Sequence, residues 1–524
     1  SGIISRQIIE KALYHKLHDI PVREYMTTEM VSVPPTADIL EIQENIIESK
    51  QRILPVMDKE NVVGVVTRTD LLNVLISQQK VDDRTTIRQS QKQIRARKRN
   101  ILNFMKERLS PRLLNILKDI GQVADKIDCN AYVVGGFVRD LFLYRPNEDI
   151  DIVIEGDGIA FAKKFAAGVG ARIHAYAKFG TAVIIFPDGF KIDVASARLE
   201  YYKFPAALPI VEMSSIRLDL FRRDFTMNTL AIQLNTNKFS TLIDFFSAQR
   251  DIKEKVIRVL HNLSFVEDPT RVFRALRFEQ RFGFSIGKLT AGLIENAVKM
   301  DFFKRLSGRR IFTEIRLILE EENPIPAIIR LHDYQLLKVI HPSIKLDNNL
   351  ISLLNSTKEV LAWHDLLFLE ESYIKWAIYF MVLIQDCNQK TTRAICDQLE
   401  LAPRYIKILL KDRFTAESTL NRMERNLPKK DSLLHRQLTG LNIEMILYMM
   451  VCARSRRVKR AISQYVTKLR HVTISVTGKD LMERNLKPGP VYREIMRAVL
   501  NAKLNGTLQT REDELAFVDK YISK

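Results

Sequence analysis

The sequence predicts an α+β multidomain chain, with a mixed strand-and-helix portion over roughly the first half and an all-helical portion after it. Three observations predict this. Up to about residue 255, short β-branched and aromatic runs are punctuated by Gly, Pro and Asp turns. Beyond about Glu321, apolar residues recur every third or fourth position, with polar breaks near Asn323-Pro324 and Asp431-Ser432. Finally, 524 residues exceed what one core supports and call for about three or four domains.

Composition narrows the function classes. Lys and Arg number 81 against 62 Asp and Glu, a net charge of +19. So basic a chain suits a polyanionic partner, although a membrane face would fit the charge as well. No apolar run reaches spanning length, so no membrane partner is expected; Trp376 to Ile384, among the longest, reads as a buried helix. Cys129, Cys387, Cys396 and Cys452 show no C-x-x-C spacing, which points to a reducing, cytoplasmic setting without a zinc site or disulfides. No signal peptide is expected. The chain opens on Ser1-Gly2 rather than Met, and sequence ahead of Ser1 is expected.

Residues 22–77 read β-α-β-β-α: MVSVPP, a helix from about Asp38 to Lys50, ILPVMD, NVVGVVT, and a helix from Thr69. Gly64-Val65-Val66-Thr67-Arg68-Thr69-Asp70 resembles the closing strand and helix start of a cystathionine-β-synthase-type (CBS) module. Gly2-Ile3-Ile4-Ser5-Arg6 resembles the same element of a preceding module, so residues 1–21 are expected to be its remnant. The resemblance implies either an adenine-nucleotide site, with Asp70 on the ribose and Thr67 near phosphate, or a structural, dimerising module that binds nothing. From residue 78 to 110 a basic linker helix is expected, because Arg84, Arg88, Lys92 and Arg95 share one helical face. It serves either as a solvated connector or as a phosphate-contacting arm.

The chemistry concentrates from Ala131 to Glu155, which reads as strand, glycine turn, short helix, loop, strand. Gly135-Gly136 ends the run Tyr132-Val133-Val134 and lets the backbone approach a ligand. The helix opening behind it points N–H groups and a positive dipole end at that spot, so phosphate is the expected guest, with Arg139 adding fixed charge. On the next strand Asp149 and Asp151 leave the same face about 7 Å apart. Such a pair is either two solvated edge carboxylates or the holder of two Mg²⁺ ions about 4 Å apart, the arrangement used for in-line phosphoryl transfer. The turn upstream favours the second. Asp193, on a hairpin turned by Pro187-Asp188-Gly189, adds a third carboxylate as base, metal ligand or partner of an arginine.

Gly135-Gly136-Phe137-Val138-Arg139-Asp140 followed by Asp149-Ile150-Asp151 resembles the head of class II tRNA nucleotidyltransferases. That family comprises CCA-adding, CC-adding and A-adding enzymes, with bacterial poly(A) polymerases as close relatives. The resemblance implies a polymerase-β-like head of mixed, antiparallel sheet with helices over residues 111–255, followed by an all-α neck (256–320), body (321–440) and tail (441–524). Arg222-Arg223-Asp224-Phe225-Thr226-Met227-Asn228 matches its second motif, placing Arg223, Asp224 and Asn228 on the sugar and phosphates. The flexible-loop region, Ala197 to Asp219, is present with Pro205-Ala206-Ala207-Leu208-Pro209 where the family has a glycine. Asp244-Phe245-Phe246-Ser247-Ala248 stands where a Gly-Gly hinge is usual.

The neck motif Glu267-Asp268-Pro269-Thr270-Arg271 has a direct chemical reading. An ionised Asp only accepts hydrogen bonds and an Arg only donates. Asp268 and Arg271, three apart on one helix face, match the edge of cytosine (N4, N3) or adenine (N6, N1) and mismatch uracil and guanine. The resemblance extends the set to Glu267 and, one turn along, Arg274 on the base or triphosphate. It further implies Mg²⁺ as cofactor, ATP and perhaps also CTP as substrates, and tRNA held by its acceptor and TΨC arms through shape and phosphates. Addition of the terminal A is the first expectation, with a separate CC-adding enzyme acting upstream; complete CCA addition is the second. A poly(A) polymerase is a third, disfavoured because Lys178-Phe179-Gly180-Thr181-Ala182 stands where that subgroup carries a Gly-Arg-Arg-Phe-type signature.

Overall fold

The computed structural model describes the chain apart from residues 1, 5, 15, 16, 18, 29, 39, 40, 43, 44, 46–52, 68–95, 202–209 and 524. It divides into two compact units, Ser1–Leu306 and Ser307–Lys524.

At the start of the first unit stand a helix, Arg6–Tyr14, and an antiparallel hairpin, Ile53–Asp58 with Asn61–Thr67. Val33 bridges to Val56, and Val33 and Leu54 form a small buried cluster there. Thr67 ends the hairpin. Asp70, its helix and most of the expected 38–50 helix lie outside the described residues.

The expected linker helix needs correction. Arg84, Arg88, Lys92 and Arg95 lie outside the described residues; among those described, Arg97–Asn100 is a strand and Leu102–Arg108 a helix. That strand pairs antiparallel with Thr241–Asp244 and closes one edge of the main sheet. All four of its residues are exposed, and basic side chains on an edge strand discourage further pairing.

Eight strands form the head sheet, in the spatial order Arg97–Asn100, Thr241–Asp244, Ala231–Gln233, Asn130–Val134, Ile150–Glu155, Lys191–Ser196, Thr181–Ile185 and Arg172–Tyr176. Every pairing is antiparallel except Ile150–Glu155 with Lys191–Ser196. That parallel pair needs a crossover, and the helix Gly158–Val169 lies within it, opened by Asp157 accepting from two backbone amides and closed by Gly170. Pro111–Lys126, capped by Ser110, packs against the same sheet. The hairpin Arg198–Tyr201 with Ile210–Met213 flanks the segment 202–209, so the altered Pro205–Pro209 stretch lies outside the described residues.

The neck follows as helices Ser264–Glu267, Thr270–Phe282 and Lys288–Lys299. Phe225 of the head meets Phe278 edge-on at 5.9 Å, and Phe278 stacks on Phe282 at 5.5 Å, so ring packing ties the neck helix to the head. The second unit is helical throughout among the described residues. Its centre is Lys375–Leu383, where every residue from Trp376 to Leu383 is buried, as its continuous apolar run predicts. Among the described residues no helix is long and apolar enough to cross a membrane.

Candidate nucleotide and catalytic site

Strand Asn130–Val134 ends at Gly135, whose φ of +72° turns the chain into the helix Gly136–Phe142. A Cβ on Gly135 would stand 2.6 Å from Arg223 Nη1 and 3.3 Å from Asp151 Oδ2, so only glycine lets the backbone pass this close. The neighbouring strand sets Asp151 level with Val134 on one side and with Asp193 on the other. Since those two strands run parallel and in register, Asp151 and Asp193 project from the same face. Asp149 lies one residue ahead of the strand, exposed, its amide held by Asn147 Oδ1 at 2.8 Å.

Burial pushes the Asp151 carboxyl up to about 6; Arg223 pulls it down, while the charges of Asp149 and Asp193 push it up again. Asp193 is raised too, by burial first and then by Asp149. Mutually repelling carboxylates beside one guanidinium form an oxygen donor set that a hard divalent cation would relieve. Among the described residues, no three His, Cys, Asp or Glu side chains gather as one metal-holding group, so the fit rests on the pair Asp149 and Asp151.

The other sequence-predicted residues join in a largely buried network. Arg139 donates through Nε and Nη2 to Asp140, at 2.8 and 2.9 Å, and through Nη1 to Asn228 Oδ1 at 2.7 Å. It is 5% exposed and lies 4.4 Å over the Phe282 ring. That placement departs from the expected phosphate contact: the guanidinium is committed to protein partners and ties the first motif to the second. Asn228 donates to Asp224 Oδ1 at 2.8 Å, and Asp224 Oδ2 accepts from Arg274 Nε and Nη2 at 2.8 and 2.6 Å. Burial alone would raise the Asp224 carboxyl, but Arg274 and Asn228 outweigh it and bring it down to about 2. Arg274, expected on base or triphosphate, is thereby placed on the sugar-motif aspartate.

In the neck, Asp268 accepts from the Thr270 amide and hydroxyl at 3.0 and 2.6 Å and so opens the helix Thr270–Phe282. Arg271 donates to Ser264 Oγ at 2.7 Å and to the Arg222 carbonyl at 2.9 Å. The two base-reading candidates therefore share one helix start while each has its own fixing partners. Glu267, expected in the nucleotide set, is buried and contacts Lys11 and His261.

Sequence reasoning missed Asp219. It is fully buried and accepts from Arg222 at 3.0 and 2.7 Å and from Arg223 at 3.4 Å, steadying both arginines of the second motif. Its spacing of three and four from those arginines on a helical turn was the available signal. At the hinge position, Ser247 takes φ +62°, a conformation glycine ordinarily supplies, so the backbone keeps its turn without glycine.

Residues 131–258 match the poly(A) polymerase head-domain family, residues 283–347 the family described as the probable RNA- and SrmB-binding site of polymerase A, and residues 22–77 the CBS-domain family. The head and its sheet order define a domain of the poly(A) polymerase head type. The chain is 46% identical over 519 residues to the A-adding tRNA nucleotidyltransferase of Geobacter sulfurreducens, covering 98% of this chain and 59% of that protein. To the A-adding enzyme of Aquifex aeolicus it is 31% identical over 506 residues, covering 95% and 58%. Among solved structures, a CCA-adding enzyme in apo form II aligns with a TM-score of 0.68 at 32% identity, over 82% of this chain and 99% of that one. The Thermotoga maritima CCA-adding enzyme complexed with tRNA aligns with a TM-score of 0.65 at 31% identity, over 81% and 99%. The chain belongs to the tRNA nucleotidyltransferase family. It spans a little under three fifths of the length of the two A-adding relatives, at 59% and 58%.

Proposed function

We propose that this chain adds the 3′-terminal A to tRNA without a template, using ATP and Mg²⁺. The observation that carries nucleotidyl transfer is the placement of Asp151 level with Asp193, against the Gly135 turn and Arg223. In this reading the tRNA 3′-hydroxyl forms a bond to the α-phosphorus of ATP as the bond to pyrophosphate breaks, and Asp193 takes the hydroxyl proton. Gly135, Gly136 and Arg223 line the triphosphate, Asp224 faces the ribose, and Asp268 with Arg271 reads the base. Arg139, Asn228 and Arg274 position these groups through their shared network, and Glu267 supports Asp268. Mg²⁺, when bound by Asp149 and Asp151, supplies neutralisation of the charge on the triphosphate and the reacting oxygens.

A-addition is favoured because two relatives that align along nearly the whole chain are named A-adding enzymes. It implies a separate CC-adding enzyme upstream. Complete CCA addition is the second reading, supported by the aligned CCA-adding enzymes, solved also with ATP and with CTP. The test uses tRNA transcripts ending before CCA, after C and after CC, incubated with Mg²⁺, ATP and CTP. One A added only to the CC-ended transcript is expected. Extension of all three to CCA establishes the second reading, long A tails mark a poly(A) polymerase, and no extension removes the transferase reading.

A further inference from the structure

Glu267 is 6% exposed, and a buried carboxylate is costly unless a charge balances it. Its Oε2 meets His261 Nε2 at 3.2 Å and its Oε1 meets Lys11 Nζ at 2.6 Å. Burial pushes His261 down while Glu267 pulls it up, so Glu267 is held between His261 and the Lys11 ammonium. Lys11 comes from the helix Arg6–Tyr14, more than 250 positions away in sequence and outside the head and neck motifs. Its Nζ also lies 5.5 Å over the ring of Phe221, whose centroid is 5.4 Å from that of His261. One ammonium thus touches the residue preceding Arg222-Arg223-Asp224 and the residue preceding Asp268.

The same N-terminal segment is fixed to the neck at further points. Asn262 donates to the Tyr25 carbonyl, Asn296 donates to the Glu24 carbonyl at 3.2 Å, and the Tyr25 hydroxyl meets Met300 Sδ at 3.3 Å. Tyr25 is itself buried. The segment therefore forms part of the wall behind the neck motif.

We propose that Lys11 is a positioning residue of the nucleotide site: by holding Glu267 and Phe221 it sets the Asp268 turn, so base recognition by the neck depends on the N-terminal segment. This rests on the reading of Asp268 and Arg271 as the base-binding pair.

The test compares the full chain with Lys11→Met, Lys11→Arg and, as a control, Asp268→Ala. Two readouts are taken: hydrogen exchange of residues 264–272 without nucleotide, and KM and kcat for ATP on a CC-ended tRNA transcript. Lys11→Met is expected to speed exchange in that segment and raise the ATP KM about tenfold or more with a smaller effect on kcat. Lys11→Arg is expected to restore both. Unchanged exchange and KM in Lys11→Met overturn the proposal, as does a uniform rise in exchange along the chain. If Lys11→Met does not fold, Lys11→Gln is measured by the same criteria. Absence of transfer by the unaltered chain removes the functional reading, while hydrogen exchange still decides whether Lys11 sets the turn. A normal KM in Lys11→Met beside a raised one in Asp268→Ala overturns the role of Lys11 and leaves the base-reading pair standing.

Discussion

The half-buried Asp151 and the buried Asp224 are driven in opposite directions. Asp224 has Arg274 and Asn228 on its oxygens and stays ionised, at about 2. Asp151 has burial and neighbouring acids against it and rises to about 6. For an acid raised in the fold, the ionised form is the penalised one. Stability from this group is full below the ordinary carboxylate range and is lost as pH climbs from about 4 through about 6. A cation that binds the ionised form has the opposite preference, since it must displace the proton. Mg²⁺ titrations of the nucleotide-free chain should therefore show affinity falling about tenfold per pH unit below pH 6. Asp151→Asn should bind weakly at every pH. Affinity that is flat between pH 5 and pH 7 would mean that Asp151 does not hold the ion.

Elements, rather than single contacts, set the geometry around these groups. The parallel pairing of Ile150–Glu155 with Lys191–Ser196 brings Asp193 level with Asp151, although 42 positions separate them. In the second unit a comparable task falls to Arg413. Lys407, Lys411 and Arg413 read together as a basic cluster, and the first two are exposed. Arg413 is not: it is fully buried, just after the π-helical turn Ile408–Asp412. It donates to the carbonyls of Leu409, Ile384 and Cys387 at 3.2, 2.9 and 2.8 Å and to Thr392 Oγ1 at 2.8 Å. Ile384 and Cys387 lie just beyond the buried helix Lys375–Leu383, and their carbonyls would otherwise face apolar surroundings. Arg413→Met should cost about 3 kcal/mol, lowering the unfolding temperature of the second unit by about 10 °C in calorimetry. A change within experimental scatter would show that water replaces the guanidinium.

Over the whole molecule the excess of positive charge has identifiable exposed carriers. Arg454, Arg456, Arg457 and Arg460 are exposed, while Val458, Ala461, Ile462 and Tyr465 of the same region are buried. The helix Arg456–Thr467 thus turns a basic face outward. If tRNA lies on this face, each arginine on a phosphate contributes counterion release. Binding of a tRNA transcript should weaken linearly on a log–log plot against salt, and Arg456→Ala with Arg457→Ala should flatten the slope by about two. An unchanged slope would place the tRNA elsewhere.

Much of the head was legible because its signals are local. A β-branched run stopping at Gly135, alternating Asp149 and Asp151, and the turn Pro187-Asp188-Gly189 depend on backbone preferences within a few residues, and strands stand at those places, with Asp149 one residue ahead of its own. The all-helical second unit followed from periodicity in the same way. Arg97–Asn100 was misread because a basic run has no intrinsic strand signal; only pairing with Thr241–Asp244, far along the chain, makes it one. The burial of Arg139 and Arg413 is set beyond local sequence for a related reason. Type and spacing say that an arginine is cationic, whereas its partners are set by which elements pack around it. Leu409 and Ala416, at four before and three after Arg413, are both buried and did mark its face as apolar. Lys11 beside Glu267 lies beyond any local signal. The sequence by itself determined the elements, the motifs and the chemistry each side chain can perform. Which of those charges meet a ligand, and which spend themselves holding others in place, only tertiary packing decided, because burial and long-range pairing are properties of the folded chain.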